Sequence, residues 1–370
     1  MRIAYIYDAV YPWETGGVQK RVWEVARRLA DDHDVHWFGL QYWDGPPVVE
    51  RDGVVLHGVG PAQSLYVDGR RSIPEALSFS RRLVRPLLGE QFDIIDCQEF
   101  PYFPCFPSKL QSLVSGSTLL MTWHEVWGDY WYEYLGRKGA FGKAIERITA
   151  QVPDGHIAVS NRTRADVKTL GIPDARLVPN GIDLGAVRSV EPADRDVDVL
   201  FVGRFIEQKN PNLVVEAVAK LAEADPEITC VLVGDGPEQE AVTELIERFG
   251  LEANVSCPGF LDEHDEVLGL MKAADVLAHP SRREGFGITA LEALACGTPV
   301  VTIRHPQNAS TELVEDGVTG EICAPNADAI ADGIRTAGVS MAEDDCIASA
   351  QTYDWDQITR RLETTYRELS

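Results

Sequence analysis

The stretch Leu277–Val301, LAHPSRREGFGITALEALACGTPVV, constrains this chain more than any other. It reads as a short apolar strand, a glycine-bearing loop, an apolar helix, and a second strand after the break Gly297-Thr298-Pro299. Gly287, Ile288 and Thr289 fall at the helix start, where unpaired backbone N–H groups and the positive dipole end favour an anion such as phosphate. Glu292 falls about one turn into that helix, and Glu284 precedes it, with Gly285, Phe286 and Gly287 between. Two acceptor carboxylates on either side of an anion-ready helix start suit a ligand with hydroxyls at both ends and phosphate between them. A nucleotide sugar has that form. Two acids eight residues apart are, taken alone, also common on solvated surfaces.

Elsewhere the chain alternates strand-like and helix-like segments. Arg2–Tyr7 reads as a buried first strand ending at Asp8, followed by the loop AVYPWETGG and a helix over Val18–Ala30. Gly16-Gly17 lies between them, where missing side chains let a ligand approach the backbone, and also serves as a plain strand–helix turn. The dinucleotide fingerprint G-x-G-x-x-G is absent there, which argues against hydride transfer. Further strands are expected at Val35–Phe38, Val54–Val59, Phe92–Cys97, Ser117–Thr122, Gly155–Val159, Asp198–Gly203, Cys230–Val233, Val255–Phe260 and Ala274–Ala278, with Glu312–Val314 and Gly317–Gly320 closing the second sheet. Ser160 or Asn161 caps a helix, and Glu191–Asp198 reads as a linker. His124 follows the strand Ser117–Thr122, at the sheet end where ligands bind in open α/β folds, and is followed by Trp127, Tyr130, Trp131, Tyr132 and Tyr134. Arg204 and Lys209 share one loop beside Gly203, a pairing suited to a diphosphate.

Composition narrows the class. The 370 residues suffice for two domains with sizeable cores. No apolar run approaches the roughly 18–20 residues that span a bilayer, and the start MRIAYIYDAVYPW lacks a basic signal region, so a cytoplasmic protein is expected. Seven cysteines without C-x-x-C read as small buried side chains, not a zinc site or disulfide frame. With 34 basic against 58 acidic residues the net charge is −24, which disfavours nucleic-acid binding. Acid richness and only eight lysines suggest a protein kept soluble in high salt. The near-neutral N-terminal half holds Arg70, Arg71, Arg81, Arg82 and Arg85 beside Leu77, Phe79, Leu83 and Leu87. This is either a solvated helix face or a surface for anionic lipid, hence an expected peripheral contact at the inner face of a membrane.

The run PSRREGFGITALEALACGTPVV resembles the signature of the retaining GT-B glycosyltransferases of family 4, the group 1 glycosyl transferases. FVGRFIEQKNP, SNRTRADVKTLGIP and LVPNGID resemble the same family, so the likeness covers nearly the whole chain. The resemblance implies a GT-B fold: an α/β chain of two Rossmann-like doubly wound domains facing across a cleft, with a C-terminal helix crossing back to the first domain. It places an acceptor-binding domain at 1–185 plus 352–370 and a donor-binding domain at 186–351. It implies a retaining, metal-independent hexosyltransferase, with a nucleotide-diphosphate sugar as donor substrate, no cofactor, and a glycan or lipid-linked acceptor. The implied catalytic set is His124, Glu284, Arg204 and Lys209; the implied donor contacts add Gly16, Gly17, Phe260, Gly285, Phe286, Gly287, Ile288, Thr289 and Glu292. Gln307-Asn308-Ala309 departs from the family pattern, which often has glycines there. A GT-B epimerase or a non-catalytic sugar-nucleotide binder would share much of this pattern, and the sugar, the base and the acceptor stay open.

Overall fold

Short β-branched runs punctuated by glycine become parallel strands, and the amphipathic segments between them become helices on both sheet faces. The computed structural model describes residues 1–67 and 70–370; Asp68 and Gly69, and the side chains of Tyr66, Val67 and Arg70, lie outside the described residues, so the Arg70 part of the basic region does too. The chain divides into two compact units, Met1–Asn180 with Trp355–Ser370, and Gly181–Asp354.

The first unit is built on an eight-stranded sheet. Its order is Arg176–Leu177, Gly155–Ala158, Thr118–Trp123, Ile94–Gln98, Arg2–Ile6, Asp34–Gln41, Val54–Pro61 and Val48–Arg51. Every neighbouring pair is parallel except the last, Val48–Arg51 against Val54–Pro61. Strand order reverses at Arg2–Ile6, so the loops after Ile6 and after Gln98 flank a topological switch point. Helices Ile73–Leu88 and Cys105–Ser115 pack with Trp131 on one sheet face through Phe79, Leu83 and Cys105. Helices Gly17–Leu29 and Trp355–Leu369 cover the other through Trp23, Val25, Trp355, Ile358 and Tyr366. The C-terminal helix thus belongs to the first unit, with Arg28 Nε bonded to Asp356 Oδ1 at 2.7 Å.

The second unit has a wholly parallel six-stranded sheet: Val255–Gly259, Cys230–Val233, Val197–Val202, Ala274–His279, Val300–Ile303 and Gly320–Cys323. Val197–Val202 lies at the switch point, so the loops after Val202 and after His279 stand side by side. Two strand expectations fail: Gly317–Thr319 is a turn that only leads into the strand Gly320–Cys323, and the other failure is local to one capped turn. Glu312–Val314 is not a strand: Ala309–Glu312 is a 3-10 turn, because Asn308 Oδ1 accepts from Ser310 N at 3.1 Å and caps it. Leu313 and Val314 are apolar because they are buried beside that turn, and the sheet closes with Gly320–Cys323 instead.

Candidate functional site

The switch point of the second unit is where the chemistry collects. Lys209 ends the 3-10 turn Glu207–Lys209 and pairs through Nζ with Glu284 Oε1, on the neighbouring loop. His279 Nε2, at the end of its strand and 1% exposed, lies 3.0 Å from the same oxygen. Against the cost of burial, Lys209 and His279 hold the Glu284 carboxyl well below the usual carboxylate range, so it is an acceptor at every working pH. Asn210 Nδ2 bonds Pro280 O at 2.8 Å and Arg282 N bonds Gln208 O at 2.8 Å, which lash the two loops together. Arg204, exposed in the same loop, has no side-chain partner among the described residues.

Gly287 caps the helix Ile288–Ala295 in the left-handed region, with φ 100°. A Cβ there would meet Ser310 Cβ at 2.7 Å, so both backbone and space demand glycine. The loop ahead of it is fixed by a two-residue parallel pairing of Arg283–Glu284 with Gln307–Asn308. Asn308 Nδ2 in turn donates to Thr302 Oγ1 and to Ile303 O, both at 3.0 Å, and Thr302 Oγ1 donates to His279 O at 2.9 Å. The segment that departs from the family pattern is therefore what seats Glu284. Glu292 is 6% exposed, with Oε1 3.1 Å from His264 Nε2. Phe286 is buried against Tyr353 and offers backbone, not ring; Phe260 is 64% exposed beside Gly259. Lys209, Glu284 and the Gly287–Thr289 helix start are thus brought together, with Arg204 on the same loop as Lys209.

In the first unit, Gly16 and Gly17 are exposed at the start of their helix. His124 is partly buried after its strand. Its Nε2 lies 2.8 Å from Gln98 Oε1, while Gln98 Nε2 donates to Asp96 Oδ1 at 3.1 Å. With the Gln98 amide so committed, its oxygen accepts and His124 carries its proton on Nε2, leaving Nδ1 as an acceptor. Burial pushes His124 down to about 3, so the ring is neutral. Tyr366 of the C-terminal helix donates to Asp96 Oδ2 at 2.6 Å and completes the chain of bonds. Arg21, buried in the first helix, bonds Pro179 O at 2.6 Å and Asn180 Oδ1 at 2.9 Å, which explains the PNG run structurally.

One cluster escaped sequence reasoning. Asp8, at the end of the first strand, pairs with Arg71 in the interior, and Glu75 lies with them. Burial first, then the Asp8 charge, pushes Glu75 up to about 8, with Arg71 opposing; Tyr42 also feels both acids. Glu75 is therefore protonated when folded but ionised when unfolded between pH 4.5 and 8. Its contribution is fully present below pH 4.5 and is lost as pH rises through about 8. Glu75→Gln, which mimics the protonated acid, is expected to remove this slope and to raise stability at pH 8 by about 1–3 kcal/mol. Denaturant melts of both proteins from pH 5 to 8.5 check it.

Comparison with known proteins follows the same division. Residues 15–186 match the family model Glycosyltransferase Family 4, and residues 187–338 match Glycosyl transferases group 1. The chain is 29% identical over 233 residues to a GDP-mannose-dependent alpha-(1-6)-phosphatidylinositol dimannoside mannosyltransferase of Mycobacterium tuberculosis, covering 60% of this chain and 59% of that protein. It is 34% identical over 217 residues to a D-inositol 3-phosphate glycosyltransferase of Actinosynnema mirum, covering 51% of each. The chain thus spans between half and three fifths of the length of these relatives. Among solved structures, sucrose-phosphate synthase from Thermosynechococcus elongatus superposes with a TM-score of 0.80 at 20% identity, over 100% of this chain and 98% of that one. Anabaena Alr3699/HepE in complex with UDP-glucose gives 0.75 at 20% identity, over 100% of both chains. The fold expected from the sequence, GT-B, is the fold of the chain.

Proposed function

Because the chain belongs to the group 1 glycosyl transferases of family 4, we propose that it moves a hexose from a nucleotide-diphosphate sugar to a glycan or lipid-linked acceptor, with retention and without a metal. One observation carries this reading: a partly buried carboxylate held ionised by Lys209 stands beside the glycine-started helix of the second unit. Glu284 accepts hydrogen bonds from donor-sugar hydroxyls, and Glu292 from the ribose. Arg204, Lys209 and the N–H groups at Gly287–Thr289 stabilise the charge growing on the departing diphosphate, each fixed donor being worth about 3–4 kcal/mol. His124 offers Nδ1 to the transferred sugar, and the leaving phosphate takes the acceptor's proton.

The surface of the first unit supports a lipid-linked acceptor and contact with an anionic membrane. Helix Cys105–Ser115 exposes Phe106, Leu110, Leu113 and Val114 along one stripe, and helix Gly139–Thr149 exposes Phe141 and Ile148. Between Arg70 and Ala150 ten basic residues accompany nine acidic ones, in a chain of net −24. Four of those acids, Glu75, Asp96, Glu99 and Glu146, are buried, and of the basic residues whose side chains are described Arg71 is buried, which leaves eight cations against five acids outside the core. Apolar stripes interspersed with cations suit anionic headgroups. Among the described residues no helix is long and apolar enough to cross a membrane. The test is a donor panel incubated with vesicles of mixed neutral and anionic lipid carrying extractable acceptor lipids, in chelator or in excess Mg²⁺. Equal turnover in both and a product keeping the donor's anomeric configuration by NMR are expected; loss of turnover in chelator, or inversion, would overturn the mechanism.

A further inference from the structure

Beside that apolar face the first unit holds a recess, open to solvent, formed by Ile73 and Ala76, the Phe100–Phe103 segment, Trp131, and Phe141 and Ile145. Its chemistry is unusual. Most polar groups on its wall are already engaged: Tyr102 Oη donates to Glu146 Oε1 at 2.8 Å, Tyr134 Oη accepts from Arg71 N at 2.6 Å, Ser72 Oγ accepts from Glu75 N at 3.3 Å, and the Arg71 guanidinium is paired with Asp8, while the indole N–H of Trp131 is buried without a partner among the described residues. What faces the recess is ring and aliphatic carbon. A sugar placed there would lose its bonds to water and find few replacements, at a cost of about 1–3 kcal/mol for each stranded hydroxyl. A hydrocarbon chain loses nothing polar.

The recess also continues onto the exposed apolar stripes. Ile73, 45% exposed, and Phe141, 58% exposed, stand both on its wall and on the outer surface. Gly142 sets its depth, because a Cβ there would strike the Trp131 ring at 2.3 Å. We propose that this recess takes the hydrocarbon tail, acyl or isoprenoid, of the lipid-linked acceptor, drawn from the membrane surface across Ile73 and Phe141. The proposal rests on reading the chain as a transferase to a lipid-linked acceptor, and it assigns the tail, not the headgroup, to these residues.

The full chain is titrated by calorimetry with farnesyl monophosphate and dodecyl phosphate below their micelle concentrations, with inorganic phosphate as the headgroup alone. Saturable binding of one chain with a negative heat-capacity change is expected, together with a change in tryptophan emission that Trp131→Phe removes. Ile145→Trp, which fills the recess, and Phe141→Gln, at an exposed position that folding does not need, are each expected to weaken binding at least tenfold. Both variants are expected to keep the wild-type melting shift with nucleotide sugars. Inorganic phosphate binding as tightly as the lipids, or undiminished lipid binding in Phe141→Gln, would overturn the proposal. Lipid binding in a protein that no nucleotide sugar stabilises would uphold the recess while removing the transferase reading.

Discussion

Lys209→Ala is expected to lower turnover by about 10²–10³, measured as nucleoside diphosphate released from the preferred donor. The substitution removes the cation that faces a leaving diphosphate. It also strands Glu284, whose side chain is only 12% exposed and whose remaining close partner is His279 at 3.0 Å. Breaking a buried pair from one side costs up to about 3–5 kcal/mol, and this partly buried pair, with His279 left beside Glu284, falls below that. Lys209→Ala is therefore expected to melt earlier as well as turn over more slowly. The double variant Lys209→Ala, Glu284→Gln separates the two effects: stability returns, because no buried charge is left, and activity does not. Recovery of activity in the double variant would mean that Lys209 serves only to neutralise Glu284.

Gly287→Ala is the second large effect. Its φ of 100° is strained for any L side chain, and the new Cβ would sit 2.7 Å from Ser310 Cβ and 3.1 Å from Ser310 Cα. Ser310 cannot withdraw, since it is fully buried and its Oγ donates to Asn308 Oδ1 at 2.6 Å. A loss of about 2–4 kcal/mol is expected, from strain and overpacking together, with loss of the anion-binding helix start. Gly317→Ala is the control: φ is 77° but nothing lies within 4 Å, so only the conformational cost of about 1 kcal/mol applies. Urea melts of the two variants distinguish them, and equal costs would show that the contact with Ser310 is not tight.

The legible parts of the fold were those written locally. Gly287 before Ile288, a cap at Ser160 or Asn161, and the strand expected at Asp198–Gly203 each carry their own cause; the cap is Ser160 and the strand runs Val197–Val202. Glu312–Val314 misled because buried Leu and Val look the same beside a capped turn as in a strand. Within the site, Arg204, Lys209 and Glu284 could be singled out because their loops carry glycines and charges in close order. The bond between Lys209 and Glu284 could not, because 75 residues separate them and only strand order makes them neighbours. His279 was within reach: it ends a strand as His124 does, and the same rule applies to it. Glu75 left no signal, for a glutamate in a first helical turn ordinarily serves the dipole in solvent. Asn308 reads as a loop residue until its pairing with Glu284 is seen.

The donor site is tested most directly by melting the protein in high salt with UDP-, GDP- and ADP-sugars, beside Arg204→Ala and Glu292→Ala. Ligand at about 100 times its dissociation constant stabilises the native state by about 2.7 kcal/mol, a shift of several degrees. The account predicts that one nucleotide class shifts the wild type and shifts neither variant. A panel that leaves the wild type unmoved, or variants that respond as fully as the wild type, would contradict the donor site described for the second unit.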